Sequence, residues 1–275
     1  MGQPHTGNRV MNYAAINAKL KAMRARLLTP QDYEDISQME TAAEVMEWLK
    51  STGIKTEVST DLNASIERTL RHAVISAANS ICLYIPDKAQ RSYITAMAST
   101  ADPANSVNPA GDNHQSRFHY YIAQWKQLAR LDKANRTALR SILGAEIDLN
   151  NILWMYRLKR YHRIKGDSTY GYLVPIRYKL SKPMTQRMAD SETPKALLEE
   201  IAQCPYATTI VFTHTKAEWG SPSHFTPEQQ LSQAIDRCYQ AAARRYPNTL
   251  APALAYLHRK KLEEQRIIAA VTPKL

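Results

Sequence analysis

Apolar residues recur at spacings of three and four along most of this chain, and that period predicts helix after helix. In residues 11–28, Tyr13, Ile16, Leu20, Met23 and Leu27 fall on one stripe, while Lys19, Lys21, Arg24 and Arg26 cover the other face. This is the pattern of an amphipathic helix with a basic outer side. Pro30 suits the first turn of a short helix reaching about residue 37. Thr41 with Glu44 reads as a capping box for a helix over 42–51, which Gly53 closes. Longer helices are predicted over 62–84, 87–98, 116–131 and 133–143. Gly144 is expected to break the pattern before a helix over 147–164. Shorter ones follow at 184–190 and 194–203, and two long ones, 227–246 and 251–270, end the chain. Residues 99–115, rich in Asn, Asp, Ser and Pro, read as a linker or loop. Residues 207–212 (Ala-Thr-Thr-Ile-Val-Phe) have strand propensity, and pattern alone leaves them open between strand and helix.

A faint internal repeat overlies this periodicity. At an offset of 152, residues 28–53 align with 180–205: Leu28/Leu180, Glu40/Glu192, Thr41/Thr193 and Glu47/Glu199 are identical. Apolar residues coincide at 36/188, 45/197, 46/198 and 49/201. At an offset of 169, Leu62, Ile66, Glu67 and Arg68 match Leu231, Ile235, Asp236 and Arg237. Both matches run in the same order, as duplicated helical lobes would.

Composition narrows the chemistry. Only 8 of 275 residues are glycine, about 3% against an average near 7%. A hairpin-rich β fold or a phosphate-cradling loop has little material to form from; Gly53, Gly144 and Gly166 are expected at helix ends. No Gly-x-Gly-x-x-Gly, P-loop, His-Glu-x-x-His or Cys-x-x-Cys occurs, so no cofactor, metal or nucleophilic site is predicted and the chain is not read as an enzyme. Cys82, Cys204 and Cys238 are odd in number and widely spaced, as in a reducing compartment. The longest charge-free apolar stretch, residues 73–85, is 13 residues, too short to span a bilayer. The first nine residues lack a signal-peptide apolar region, so an intracellular protein is expected.

The net charge of +11 calls for an anionic partner: nucleic acid, an acidic protein, or an anionic leaflet beside a membrane complex. The most loaded segment is 144–162, where Glu146 and Asp148 precede a run of apolar residues that ends in Arg157, Lys159 and Arg160. Read as one helix, it has dipole-matched ends. Asp148, Asn151, Arg157 and Lys159 are its candidate partner-interface residues. Acid catalysis by Glu146 with Asp148 is not expected, because no base or metal ligand lies near in sequence.

Two segments carry a family resemblance. Residues 13–33 open with Tyr13, continue through an Ala- and Lys/Arg-rich helix to Leu27-Leu28, and reach Asp32-Tyr33. Residues 144–161 present Gly144, Glu146, Ile147, Asp148, Asn151, Ile152, Trp154, Tyr156, Arg157, Lys159 and Tyr161. In that order they resemble the C subunit of V-type (V/A-type) ATP synthases, the relative of the d subunit of eukaryotic V-ATPases. Leu173-Val-Pro175, Tyr178-Lys-Leu180 and the basic last helix ending in Arg266-Ile267-Ile268 continue the likeness. The chain is short for that family around 99–115 and 204–227, and its last helix lacks the family's spacing of acids.

The resemblance implies an all-α fold of three related lobes, 1–98, 99–179 and 180–275, arranged as a pseudo-threefold funnel. It implies a non-catalytic rotor part on the cytoplasmic face of a membrane, coupling central-stalk subunits to the proteolipid ring for ion transport. The competing reading is a stand-alone helical RNA-binding protein using the basic helix 157–165.

Overall fold

A computed structural model describes residues 6–56, 61–99, 113–162, 164, 166–210 and 226–272. Its helices are α1 (Thr6–Arg24), α2 (Pro30–Gln38), α3 (Ala42–Ser51), α4 (Leu62–Cys82), α5 (Lys88–Ser99), α6 (Asn113–Gln127), α7 (Lys133–Arg157), α8 (Asp167–Tyr170), α9 (Lys182–Asp190), α10 (Pro194–Ile201), α11 (Pro227–Arg245) and α12 (Ala251–Val271). The fold is all-α, with no strand among the described residues. Residues 207–210, part of the strand-like patch, form turns; 211 and 212 lie outside the described residues, as do 100–112 of the expected linker.

The chain divides into two compact units, one of Met1–Ala101 with Tyr246–Leu275 and one of Asp102–Arg245. This grouping differs from lobe boundaries at 98 and 179, because α12 joins the first unit. There it packs on α1, α2 and α4. The core of that unit is built by Ile36, Val45, Met46 and Leu49 of α2 and α3, Ile66 and Leu70 of α4, and Ile267 and Val271 of α12.

The short helices start where their caps dictate. The Thr29 side chain accepts from the Asp32 N–H while Asp32 accepts from the Thr29 N–H, a full capping box. Thr41 accepts from the Glu44 N–H, but the Glu44 carboxylate reaches back to the Glu40 N–H rather than to Thr41. Gly53, at φ 79°, takes the left-handed turn that ends α3 without a Cβ penalty.

The repeat is structural. Shifted by 152, α2 and α3 become α9 and α10: Pro30 corresponds to Lys182 and Ala42 to Pro194, the first residues of their helices. The N-caps Thr29 and Thr41 correspond to Ser181 and Thr193, whose hydroxyls accept from Met184 and Ala196. Ile36, Val45, Met46 and Leu49 are buried, and so are Met188, Leu197, Leu198 and Ile201. One two-helix module therefore occurs once in each unit, with the same caps and the same core positions.

In the second unit α7 is the axis, packed against α6, α9, α10 and α11. It runs unbroken through Gly144, so the expected break there is corrected. A glycine weakens an exposed helix by about 1 kcal/mol, but this one is buried on every side, and packing overrides propensity. Every residue from Ile142 to Tyr156 is buried. Glu146 and Asp148 consequently sit mid-helix, not at an N-terminus, so the dipole argument for them fails. Past Arg157 the chain widens into one π turn, Leu158–His162.

Candidate functional site

A helix stretch buried from Ile142 to Tyr156 and carrying Glu146, Asp148, Asn150 and Asn151 has to satisfy each of those groups from within the fold, since an unmet buried polar group costs about 1–3 kcal/mol. The second unit does so by using them to hold segments that have no regular structure of their own.

Asp148 is the centre. Its Oδ1 accepts from the Tyr178 N–H at 3.2 Å, and its Oδ2 accepts from Lys179 N–H at 2.7 Å, Leu180 N–H at 3.1 Å and the Tyr206 hydroxyl at 2.8 Å. Burial pushes its carboxyl above the ordinary range, against the pull of those four donors. The same burial, with the Asp148 charge beside it, raises the Tyr206 phenol far above its ordinary value. One turn on, Asn151 makes a two-way clamp on Val174: its Nδ2 donates to the Val174 carbonyl at 3.0 Å and its Oδ1 accepts from the Val174 N–H at 2.9 Å. Together Asp148 and Asn151 fix residues 174–180 along α7. The outward side of that segment exposes Pro175, Arg177, Tyr178 and Lys179.

Lys159 is also buried. Its ammonium donates to the carbonyls of Ala189 at 2.7 Å and Ser191 at 2.6 Å, capping the C-terminal end of α9, where helix carbonyls lack partners. Arg157 alone of the four candidates reaches the surface, paired through Nε with Glu228 of α11 at 3.0 Å. The structure thus brings all four onto one stretch of α7 and its π turn. Three are turned inward, and what they present to solvent is the backbone they hold.

Sequence reasoning missed the partners of two more groups. Glu146 accepts from the hydroxyls of Tyr121 at 3.1 Å and Tyr239 at 2.5 Å, and Asn150 donates to Tyr121 at 2.8 Å, which ties α6 and α11 to α7. Arg117 is fully buried with its guanidinium 4.0 Å from the centre of the Trp154 ring and a hydrogen bond to the Tyr172 carbonyl. Its Nε and Nη1 have no acceptor among the described residues, and burial pushes its pKa down to about 10. A buried cation without a carboxylate is costly. Arg117→Met, similar in length and apolar, is therefore expected to melt no lower than the parent, while Arg117→Ala loses about 2–4 kcal/mol to the cavity over Trp154. Urea unfolding followed by tryptophan fluorescence distinguishes the two.

The first unit carries the same device. Glu263, buried on α12, accepts from the Leu28 N–H at 2.6 Å and from Lys260 at 2.6 Å. Leu28 is the repeat counterpart of Leu180, whose N–H goes to Asp148. In both units a buried acid of a long helix catches the leucine that leads into the two-helix module. No spacing rule finds this, because Asp148 precedes its module while Glu263 follows by more than two hundred residues.

Among the described residues no group of three or more His, Cys, Asp or Glu side chains is placed to hold a metal ion, and no helix is long and apolar enough to cross a membrane. The polar interior joins helices and pins irregular chain. Residues 16–107 and 117–273 match the model of the ATP synthase (C/AC39) subunit family, and the chain belongs to that family. It is thereby a subunit type of a membrane-associated ATP synthase complex, and all four candidate residues lie inside the second match. No curated protein matches the chain. The RNA-binding alternative through 157–165 has no support: Lys159 is buried, Arg157 is ion-paired, and Arg163 and Lys165 lie outside the described residues.

Proposed function

We propose that the chain is a non-catalytic central-rotor subunit of a rotary V/A-type ATPase, joining central-stalk subunits to the membrane proteolipid ring at the cytoplasmic face so that ATP turnover and ion movement are coupled. Membership in the ATP synthase (C/AC39) subunit family, over nearly the whole chain, carries this reading. The duplicated module supports the further reading of lobes in a pseudo-threefold funnel. A part that passes torque needs stiff surfaces rather than a reactive group. In this reading 174–180 is one contact surface, and Asp148 and Asn151 are positioning residues that hold it from behind. Lys159 steadies the neighbouring end of α9, and Arg157 lies at the edge.

Reconstitution tests it. The full chain is expected to co-purify with a complex of ring and stalk subunits, and its omission to leave ATP hydrolysis without ion transport. Arg177→Glu with Lys179→Glu, on the exposed side of the segment, should weaken that association about tenfold or more with the thermal midpoint unchanged. Full ATP-driven transport in a complex lacking the chain would sink the proposal.

A further inference from the structure

The corner between α6 and α7 gathers five cations around a single acid. Lys126 at the end of α6, Arg130 in the turn that follows it, and Lys133, Arg136 and Arg140 on α7, are all exposed. Positions 133, 136 and 140 fall on one face of α7 over about 10 Å. None of the five makes an ion pair with a described carboxylate. The one acid within the corner, Asp132, is turned into the start of α7, where it accepts from the N–H groups of Ala134 and Asn135 and from the Asn135 side chain. α7 has no acid in its first turn, and Lys133 and Arg136 stand near the positive end of its dipole, where cations are disfavoured.

Two of the arginines are held in place. Arg140 lies over the half-buried Trp125 ring with its guanidinium 5.1 Å from the centre, and Arg136 donates through Nη2 to the Leu131 carbonyl at 2.9 Å. Fixed guanidinium forks match carboxylates bidentately, and a buried-edge tryptophan beside arginine is typical of protein interfaces. The corner exposes no large apolar side chain to enter a membrane.

We propose that this corner, centred on Lys133, Arg136 and Arg140, is a docking site for an acidic segment of a partner protein. The assignment stands on the charge arrangement and does not depend on the rotor reading; loss of ring or stalk association with peptide binding intact would count against that reading alone.

The full chain, titrated with a fluorescent helical Glu-Ala peptide, is expected to bind with an affinity that falls steeply with salt. Lys133→Gln/Arg136→Gln/Arg140→Gln should lose at least about tenfold. Lys21→Gln/Arg26→Gln/Lys88→Gln, three exposed cations of the other unit, should bind as the parent does. Arg136→Lys/Arg140→Lys keeps the charge and the fold and is expected to lose about threefold to tenfold, since lysine cannot form the fork. Four results would overturn the proposal: no peptide binding by the parent, equal loss in the control triple, no loss in the lysine pair, or equally tight binding of phosphatidylserine–phosphatidylcholine vesicles or duplex DNA through the same three residues.

Discussion

Asp148→Asn is expected to destabilise the second unit by about 1–3 kcal/mol, although it removes a charge that burial disfavours. The carboxylate has two oxygens and serves four donors. Asparagine offers one oxygen. With that oxygen at the Oδ2 position the Lys179, Leu180 and Tyr206 donors keep an acceptor, neutral and weaker than the carboxylate, while the amide NH2 is set against the Tyr178 N–H, donor facing donor. One opposed donor and three weakened hydrogen bonds cost about 1–3 kcal/mol. The regained desolvation offsets part of this, but burial has only raised the carboxyl's proton affinity, not emptied its hydrogen bonds. Hydrogen exchange gives the local readout: amides 178–180 should lose protection well before those of α11. Glu263→Gln, with a single backbone N–H at stake, should cost the first unit less. An Asp148→Asn midpoint in urea equal to the parent's would show that 178–180 is held by packing rather than by the carboxylate.

The parts of this structure that the sequence disclosed are the local ones. Thr41 caps its helix within three residues, Pro30 marks the first turn of another, and the apolar stripe of α2 and α3 is complete within one module, so local signals placed α2, α3, α9 and α10 closely. Asp148 and Asn151 stand out as polar residues in a stretch, 142–156, whose apolar residues fall on all sides of the helix, unlike the exposed cations of its first two turns. That all-round apolarity was itself the sign of a buried helix, and hence of inward polar groups, but their partners stand 23 to 58 residues away. A long-range acceptor leaves no periodic trace. The same holds for Lys159: basic residues at a helix end look solvated, and only the position of α9 shows that its carbonyls take the ammonium. Gly144 misled for the opposite reason, because glycine is a breaker by propensity and a spacer by packing.

Gly144→Ala tests that last point. A Cβ there would lie 2.4 Å from Cγ and 2.7 Å from Cβ of Tyr178, inside any contact that packed atoms tolerate. Alanine gains about 1 kcal/mol of helix propensity and meets an overpacking cost of about 1–3 kcal/mol, occasionally more. Overpacking wins here because the obstacle is the root of the tyrosine side chain, not its flexible end. Tyr178 cannot retreat without drawing its N–H off Asp148, so the substitution strains packing and clamp together. With about 1 kcal/mol added for the drawn Tyr178–Asp148 hydrogen bond, a net loss of about 1–3 kcal/mol is expected, and the effect should be non-additive. Tyr178→Gly clears both obstructing atoms, so Gly144→Ala in that background should cost nothing or stabilise. Tyr178→Ala leaves its Cβ in the way and should relieve only part. A urea double-mutant cycle reads all of these. If Gly144→Ala proves as stable as the parent, residues 174–180 yield to a single methyl group, and a segment that soft could not serve as the stiff contact surface proposed for it.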